Sequence, residues 1–241
     1  MVIEYQLPKH RQPVFKCFKG VLRIFKRKVN TVVLGEPLQD KCVYLANHAN
    51  KMGPVMYDMF FPVYAVKWGA HQMLGKYAER KAYLRDVLYI QKNGMGKRRA
   101  AFKATFEAFF SKYIYKGLKF LPTYPDMRLA KTVKKSVDVL NDDTALMVFP
   151  EDSNEGYKDL MTSFFSGFVL IMESYYKKNK EDVPVRCIYY HKKKRLIAAS
   201  ESFYLHDFTE KGLDRKGIAE FMKEKVNELY RRIESGEFDK K

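Results

Sequence analysis

Apolar and charged residues alternate along this chain at two periods, and the change of period marks its elements. From Val14 to Val29 the apolar positions Val14, Phe15, Phe18, Val21, Leu22 and Phe25 recur at helical spacing, with Lys16, Lys19, Arg23, Lys26 and Arg27 between them. This predicts a basic amphipathic helix. Such a helix lies either in a lipid headgroup layer or against the protein's own core. Thr31 to Leu34 and Cys42 to Ala46 read as short strands parted by the turn signal Gly35-Glu36-Pro37. Pro54 is placed to open a helix and Pro62 to end it, and Val63 to Trp68 is a third strand. Ala100 to Tyr115 predicts a long helix on which Phe102, Phe106, Phe109, Phe110, Tyr113 and Ile114 form an aromatic stripe beside Lys103 and Lys112. We assign this stripe to the core, the competing reading being a half-wet position against lipid or an acyl chain.

Leu129, Val133, Val137 and Leu140 share one face of a further helix that stops at Asn141-Asp142-Asp143. Ala145 to Phe149 is a continuous apolar run, as in strands covered on both faces, and it ends in Pro150-Glu151-Asp152. A helix from about Leu160 to Tyr176, a strand from Val183 to Tyr190, a solvated basic turn from His191 to Arg195 and a returning strand from Leu196 to Ala199 follow. Ile218, Phe221, Met222, Val226, Leu229, Tyr230 and Ile233 define an amphipathic C-terminal helix. Strands alternating with helices predict an α/β fold: a mixed central β-sheet flanked by helices over 31–241, preceded by the N-terminal helical segment of residues 1–30.

A chain of 241 residues that is 46% hydrophobic can bury a sizeable core. No apolar run approaches the roughly 20 residues of a membrane span; the longest, Phe164 to Met172, is broken by Ser166 and Gly167. Met1-Val2-Ile3-Glu4 lacks the order of a signal peptide, so a cytoplasmic location is expected. Cys17, Cys42 and Cys187, and His10, His48, His71, His191 and His206, follow no metal-ligand spacing, and no structural metal is expected. The net charge of +17, from 45 Lys plus Arg against 28 Asp plus Glu, suits an anionic partner, although charges spread singly over helices also form ordinary solvated surface. No nucleic-acid-binding pattern accompanies it. Anionic lipid is the favoured partner and nucleic acid is set aside.

Ala46-Asn47-His48-Ala49-Asn50-Lys51-Met52-Gly53-Pro54 puts a histidine between a strand and a helix, where a ring nitrogen can reach a bound hydroxyl. Taken alone, such a histidine is more often a structural hydrogen-bonding residue. Glu151, at the carboxyl end of a buried strand, stands where open α/β sheets place their ligands.

Read in order, Asn47-His48, then Gly117 to Pro125, then Phe149-Pro150-Glu151, then Val183-Pro184-Val185 resemble the four blocks of the glycerolipid (lysophosphatidic acid) acyltransferase superfamily, from about Val33 to Ser202. The resemblance implies transfer of a fatty acyl group from acyl-CoA or acyl-carrier protein to a lysophospholipid-type alcohol at a membrane surface, with no cofactor. His48 matches the general base, with Asn47 beside it in the same block, and Glu151 matches the block glutamate that holds the site or the acceptor. The sequence departs from the family at two places. Gly53 stands where the family carries the aspartate that orients its histidine, so Asn50, Asp58 or a backbone carbonyl must hold His48. Asp152-Ser153-Asn154-Glu155 replaces Gly-Thr-Arg-Ser, and Arg128 is the nearest substitute for the lost arginine. Arg128, Asp152, Ser153, Asn50 and Asp58 are accordingly assigned to substrate binding. The alternative is a catalytically inactive relative that binds lipid or acyl-CoA.

Overall fold

The computed structural model describes residues 17, 19–22, 24, 28–50 and 52–238. Seven strands form one sheet: β1 (Asn30–Val33), β2 (Val43–Ala46), β3 (Ala65–Ala70), β4 (Leu121–Thr123), β5 (Ala145–Val148), β6 (Val185–His191) and β7 (Leu196–Phe203). Their spatial order is β1-β7-β6-β2-β5-β3-β4, with β6 and β7 antiparallel and the other neighbouring pairs of these described strands parallel. The fold is therefore α/β with a mixed central sheet.

β2 shows how the sheet holds the layers together. All four of its residues are buried, with Val43 and Leu45 packed into one core and Tyr44 and Ala46 into another. A strand with apolar residues on both sides of the pleat has to lie between two helical layers. The first layer holds α4 (Leu129–Asn141), α5 (Val169–Asn179) and α7 (Arg215–Glu234), with the short α6 (Leu205–Thr209) before α7. The second holds α1 (Gly53–Phe60), α2 (Tyr77–Ala82), a π-helix (Tyr83–Gln91) and α3 (Lys97–Leu118).

Two expectations change, and one open choice is settled at a single residue. The helix expected from Leu160 starts as a single 3₁₀ turn at Ser166 and becomes α5 only at Val169. Before it, Phe165 N donates to Pro150 O at 2.8 Å and Asp152 N to Ser163 O at 3.0 Å, so this backbone pairs with the segment after β5. The aromatic stripe of α3 is not core. Ala100, Ala104, Ala108 and Ser111 face inward, and Phe102, Phe106, Phe109, Phe110 and Tyr113 are 57% to 70% exposed. In the N-terminal segment, residues 19–22 are helical, but Lys19 is only 2% exposed and its ammonium sits 2.6 Å from Asp58 Oδ2. Lys19 therefore faces protein rather than lipid; Val14, Phe15, Lys16, Phe18, Arg23, Phe25, Lys26 and Arg27 lie outside the described residues. Among the described residues, no helix is long and apolar enough to cross a membrane.

Candidate active site

β2 and β5 are parallel neighbours, with Leu45 opposite Val148, so the chain leaves both strands at the same edge of the sheet. His48 lies two residues past β2 and Glu151 three past β5. This juxtaposition is the strand-end geometry in which α/β sheets assemble sites. The Glu151 carboxylate accepts a hydrogen bond from the backbone N–H of His48 at 3.2 Å. Burial raises the Glu151 pKa, and backbone donors at His48 and Lys158 together with the Lys92 charge counter the rise.

Asn47 is a brace. Its Oδ1 accepts from the Tyr57 hydroxyl at 2.6 Å and from Tyr190 N at 2.8 Å, and its Nδ2 donates to Tyr190 O at 3.2 Å. The end of β2 is thereby tied to β6 and α1, and His48 is presented from a fixed backbone.

The loop after His48 supplies what the missing aspartate leaves undone. Ala49 and Asn50 take positive φ, 42° and 75°, which Asn tolerates and Ala adopts at a cost of about 1 kcal/mol. The turn brings Asn50 O to 2.9 Å from His48 Nδ1. A carbonyl only accepts, so Nδ1 carries the proton and Nε2 keeps its lone pair. Of the three groups considered from sequence to hold His48, the backbone carbonyl fills the role. Asn50 O also accepts from Gly53 N at 3.2 Å, and the Asn50 side chain accepts from Met52 N at 2.9 Å. A Cβ at residue 53 would fall 1.8 Å from His48 O, so this compact loop requires glycine there.

His48 opens into a cavity of about 310 Å³ walled mostly by apolar and aromatic side chains, among them Leu22, Trp68, Leu88, Ile114 and Phe120. The rings of Phe149 and Tyr157 lie with centroids 5.0 Å from the imidazole. This enclosure, reinforced by the nearby Lys92 charge and opposed by the Asn50 carbonyl, lowers the His48 pKa to about 4. The ring is neutral at physiological pH.

Of the residues assigned to catalysis or substrate binding from sequence, His48 alone lines the cavity. Asp58 does not reach the imidazole: it lies between two ammoniums, Lys67 at 2.8 Å and Lys19 at 2.6 Å. Burial alone would raise its pKa, but Lys67 and Lys19 outweigh that and hold it near 2. Arg128 is exposed, paired with Asp126 at 2.7 Å and stacked 4.3 Å over Tyr124, away from the cavity lining. Asp152 accepts from Asn154 N at 3.1 Å in a local turn. Ser153 is buried and accepts from Lys92 Nζ at 2.7 Å.

Lys92 is the functional candidate that sequence reading missed. The π-helix ends immediately before it with a wide i→i+5 bond, Lys92 N to Val87 O at 2.9 Å, and its side chain lines the cavity between Ser153 and Tyr157. Burial lowers its pKa, while Glu151 and Asp152 act to hold its charge. As one of 45 cations, followed only by an Asn93-Gly94 turn signal, it carried no distinguishing mark in the sequence. No protein-family model, curated protein or solved structure matches the chain.

Proposed function

We propose that the chain is a divergent member of the glycerolipid acyltransferase superfamily. It moves a fatty acyl group from acyl-CoA or acyl-carrier protein to a lysophospholipid-type alcohol, working peripherally on the cytoplasmic face of an anionic membrane. The observation that carries this reading is His48 with Nδ1 2.9 Å from the Asn50 carbonyl, in a largely apolar cavity that Lys92 also lines. The alcohol attacks the thioester carbonyl as Nε2 takes its proton. The new C–O bond forms, the C–S bond breaks, and His48 returns the proton to the departing thiolate. The Asn50 carbonyl stabilises the transient imidazolium, the part a carboxylate plays in histidine–acid pairs. Lys92 offers positive charge to an oxyanion or a phosphate. Asn47 and Glu151 are positioning residues, because each acts on the backbone that carries His48. With about 30 Å³ per water-sized group, the cavity admits about ten such groups, enough for much of an acyl chain.

Among the described residues the His48 ring is held by a backbone carbonyl and not by a carboxylate, and this favours a second reading, a non-catalytic binder of lipid or acyl-CoA. Thioester cleavage measured with a panel of lysophospholipid and other lipid alcohols, in the parent chain and in His48→Ala, separates the two. Acceptor-dependent turnover that the variant loses supports transfer. Binding of acyl-CoA without turnover in either protein removes the enzyme reading.

A further inference from the structure

α3 reverses the usual order of a surface helix. Its buried side is made of Ala100, Ala104, Ala108 and Ser111, small enough for Arg80 of α2 to reach Ala108 O through Nε at 3.3 Å and Nη2 at 3.2 Å. Its outer side carries Phe102, Phe106, Phe109, Phe110 and Tyr113, each more than half exposed. Single exposed aromatics are common on protein surfaces, but five on one helix form a contiguous apolar patch of the kind that marks an interaction site. Exposed cations accompany them: Lys97, Arg98, Arg99, Lys103, Lys112 and Lys116, against Glu107 as the one acidic residue of the helix.

The same helix is a wall of the site. Glu107, Ser111, Ile114, Tyr115 and Leu118 line the cavity that holds His48. Glu107 also lines an open groove of about 560 Å³ on the outer side, together with Arg99, Phe102, Phe106 and Phe110. The aromatic patch and the cavity therefore meet at Glu107.

We propose that this face of α3 docks the protein on an anionic phospholipid surface, with the groove beside Glu107 as the route from the lipid to His48. The docking depends on the acyltransferase reading only for what the cavity receives. Phenylalanine and tyrosine rings suit the boundary between headgroups and acyl chains, and the flanking ammonium and guanidinium groups suit the phosphates. A second copy of this chain is a poor partner, because pairing two such faces sets six cations against six. Nucleic acid is also a poor partner. Bases stack on open ring faces, whereas Phe102 packs on Phe106 at 59° and Phe109 on Phe110 at 85°, with centroids 4.9 and 5.2 Å apart. In the N-terminal segment, for which sequence left lipid and protein contact both open, Lys19 is committed to Asp58.

The test is cosedimentation of the full chain with phosphatidylcholine vesicles, with and without phosphatidylglycerol. The parent chain binds the anionic vesicles. Combined Phe106→Ser, Phe109→Ser and Phe110→Ser substitution weakens binding at least about tenfold. Charge reversal at Arg98, Arg99 and Lys112 weakens it by about fivefold per charge at low salt. These side chains are exposed, so an unchanged thermal melt verifies that the variants are folded. Phe109→Trp gives an independent reading: its fluorescence is quenched by brominated lipids beyond the level of the parent, whose single tryptophan, Trp68, lines the cavity. Equal vesicle binding by parent and variants overturns the proposal. So does a dimer that the Phe substitutions dissociate, or displacement from vesicles by an oligonucleotide. His48→Ala binds vesicles as the parent does, so loss of the acyltransferase reading leaves the docking result standing. Unaltered binding by the Phe variants in an active enzyme removes the docking face alone.

Discussion

Restoring the aspartate at position 53 will damage the site. In the observed loop a Cβ at this residue would lie 1.8 Å from His48 O and 2.8 Å from His48 C, and contacts under 3.0 Å are essentially never seen. Any side chain here must therefore displace the His48 carbonyl or the start of α1 by more than 1 Å. The His48 ring and the start of α1 are both tied to Asn50 O, which accepts from His48 Nδ1 at 2.9 Å and from Gly53 N at 3.2 Å. Overpacking of this kind costs about 1–3 kcal/mol, and loss of the partly buried hydrogen bond to the ring costs about 1 kcal/mol more. A misplacement of about 1 Å at a base lowers turnover by about 10²-fold. Gly53→Asp is thus expected to lower kcat/KM for acyl-CoA cleavage about 100-fold and to reduce the midpoint of chemical denaturation. Gly53→Ala, which adds the Cβ without a carboxylate, should do nearly as much harm. If Gly53→Asp matches or exceeds the parent while Gly53→Ala is impaired, the carboxylate has a place beside His48 and the argument from the compact loop fails.

The other expectations concern charge. With the His48 pKa near 4, kcat/KM should stay level from neutrality down to about pH 5 and then fall with a midpoint near 4, so an acid limb near the ordinary imidazole value of about 6.5 contradicts the enclosure. The unfolded chain binds this proton near pH 6.5 and the folded chain only near 4. Stability from the neutral ring is therefore complete above about 6.5 and is lost as pH falls toward 4, a trend that urea titrations should show weakened in His48→Ala. Lys92→Met removes one cause of the low imidazole pKa, so the acid limb should move upward, and KM for a phosphate-bearing substrate should rise about tenfold; an unmoved limb places Lys92 outside the field of His48. Asp58→Ala leaves Lys19 and Lys67 buried without their shared carboxylate and should cost about 3–5 kcal/mol by chemical denaturation, whereas a loss below about 1 kcal/mol means the cluster is not structurally important.

The hydrophobic pattern was enough to locate β2, β5, β6 and the C-terminal helix, because each is apolar at the period of its own backbone and buries those residues. It also put His48 and Glu151 just past strand ends, while Asn47, and the weight given to His48, came from the resemblance to the acyltransferase blocks. Periodicity does not say which face of a helix turns inward when both faces can pack. On α3 the alanines won, because Arg80 and the helices beside it approach closely enough to favour small residues, and the aromatics were left outside. Nor does sequence distance report spatial partners. Asp58 looked available to His48 and is held by two lysines, one of them 39 residues away. Lys92 reaches Ser153 across 61 residues. The sequence by itself determined an α/β chain with a histidine and a glutamate each just past a strand end, because local backbone periods and burial decide that much. Tertiary structure decided that these two strands are neighbours, what holds the histidine, which lysines line its cavity and which face meets the surroundings, because these depend on loop conformations and on long-range contacts whose geometry no local pattern encodes.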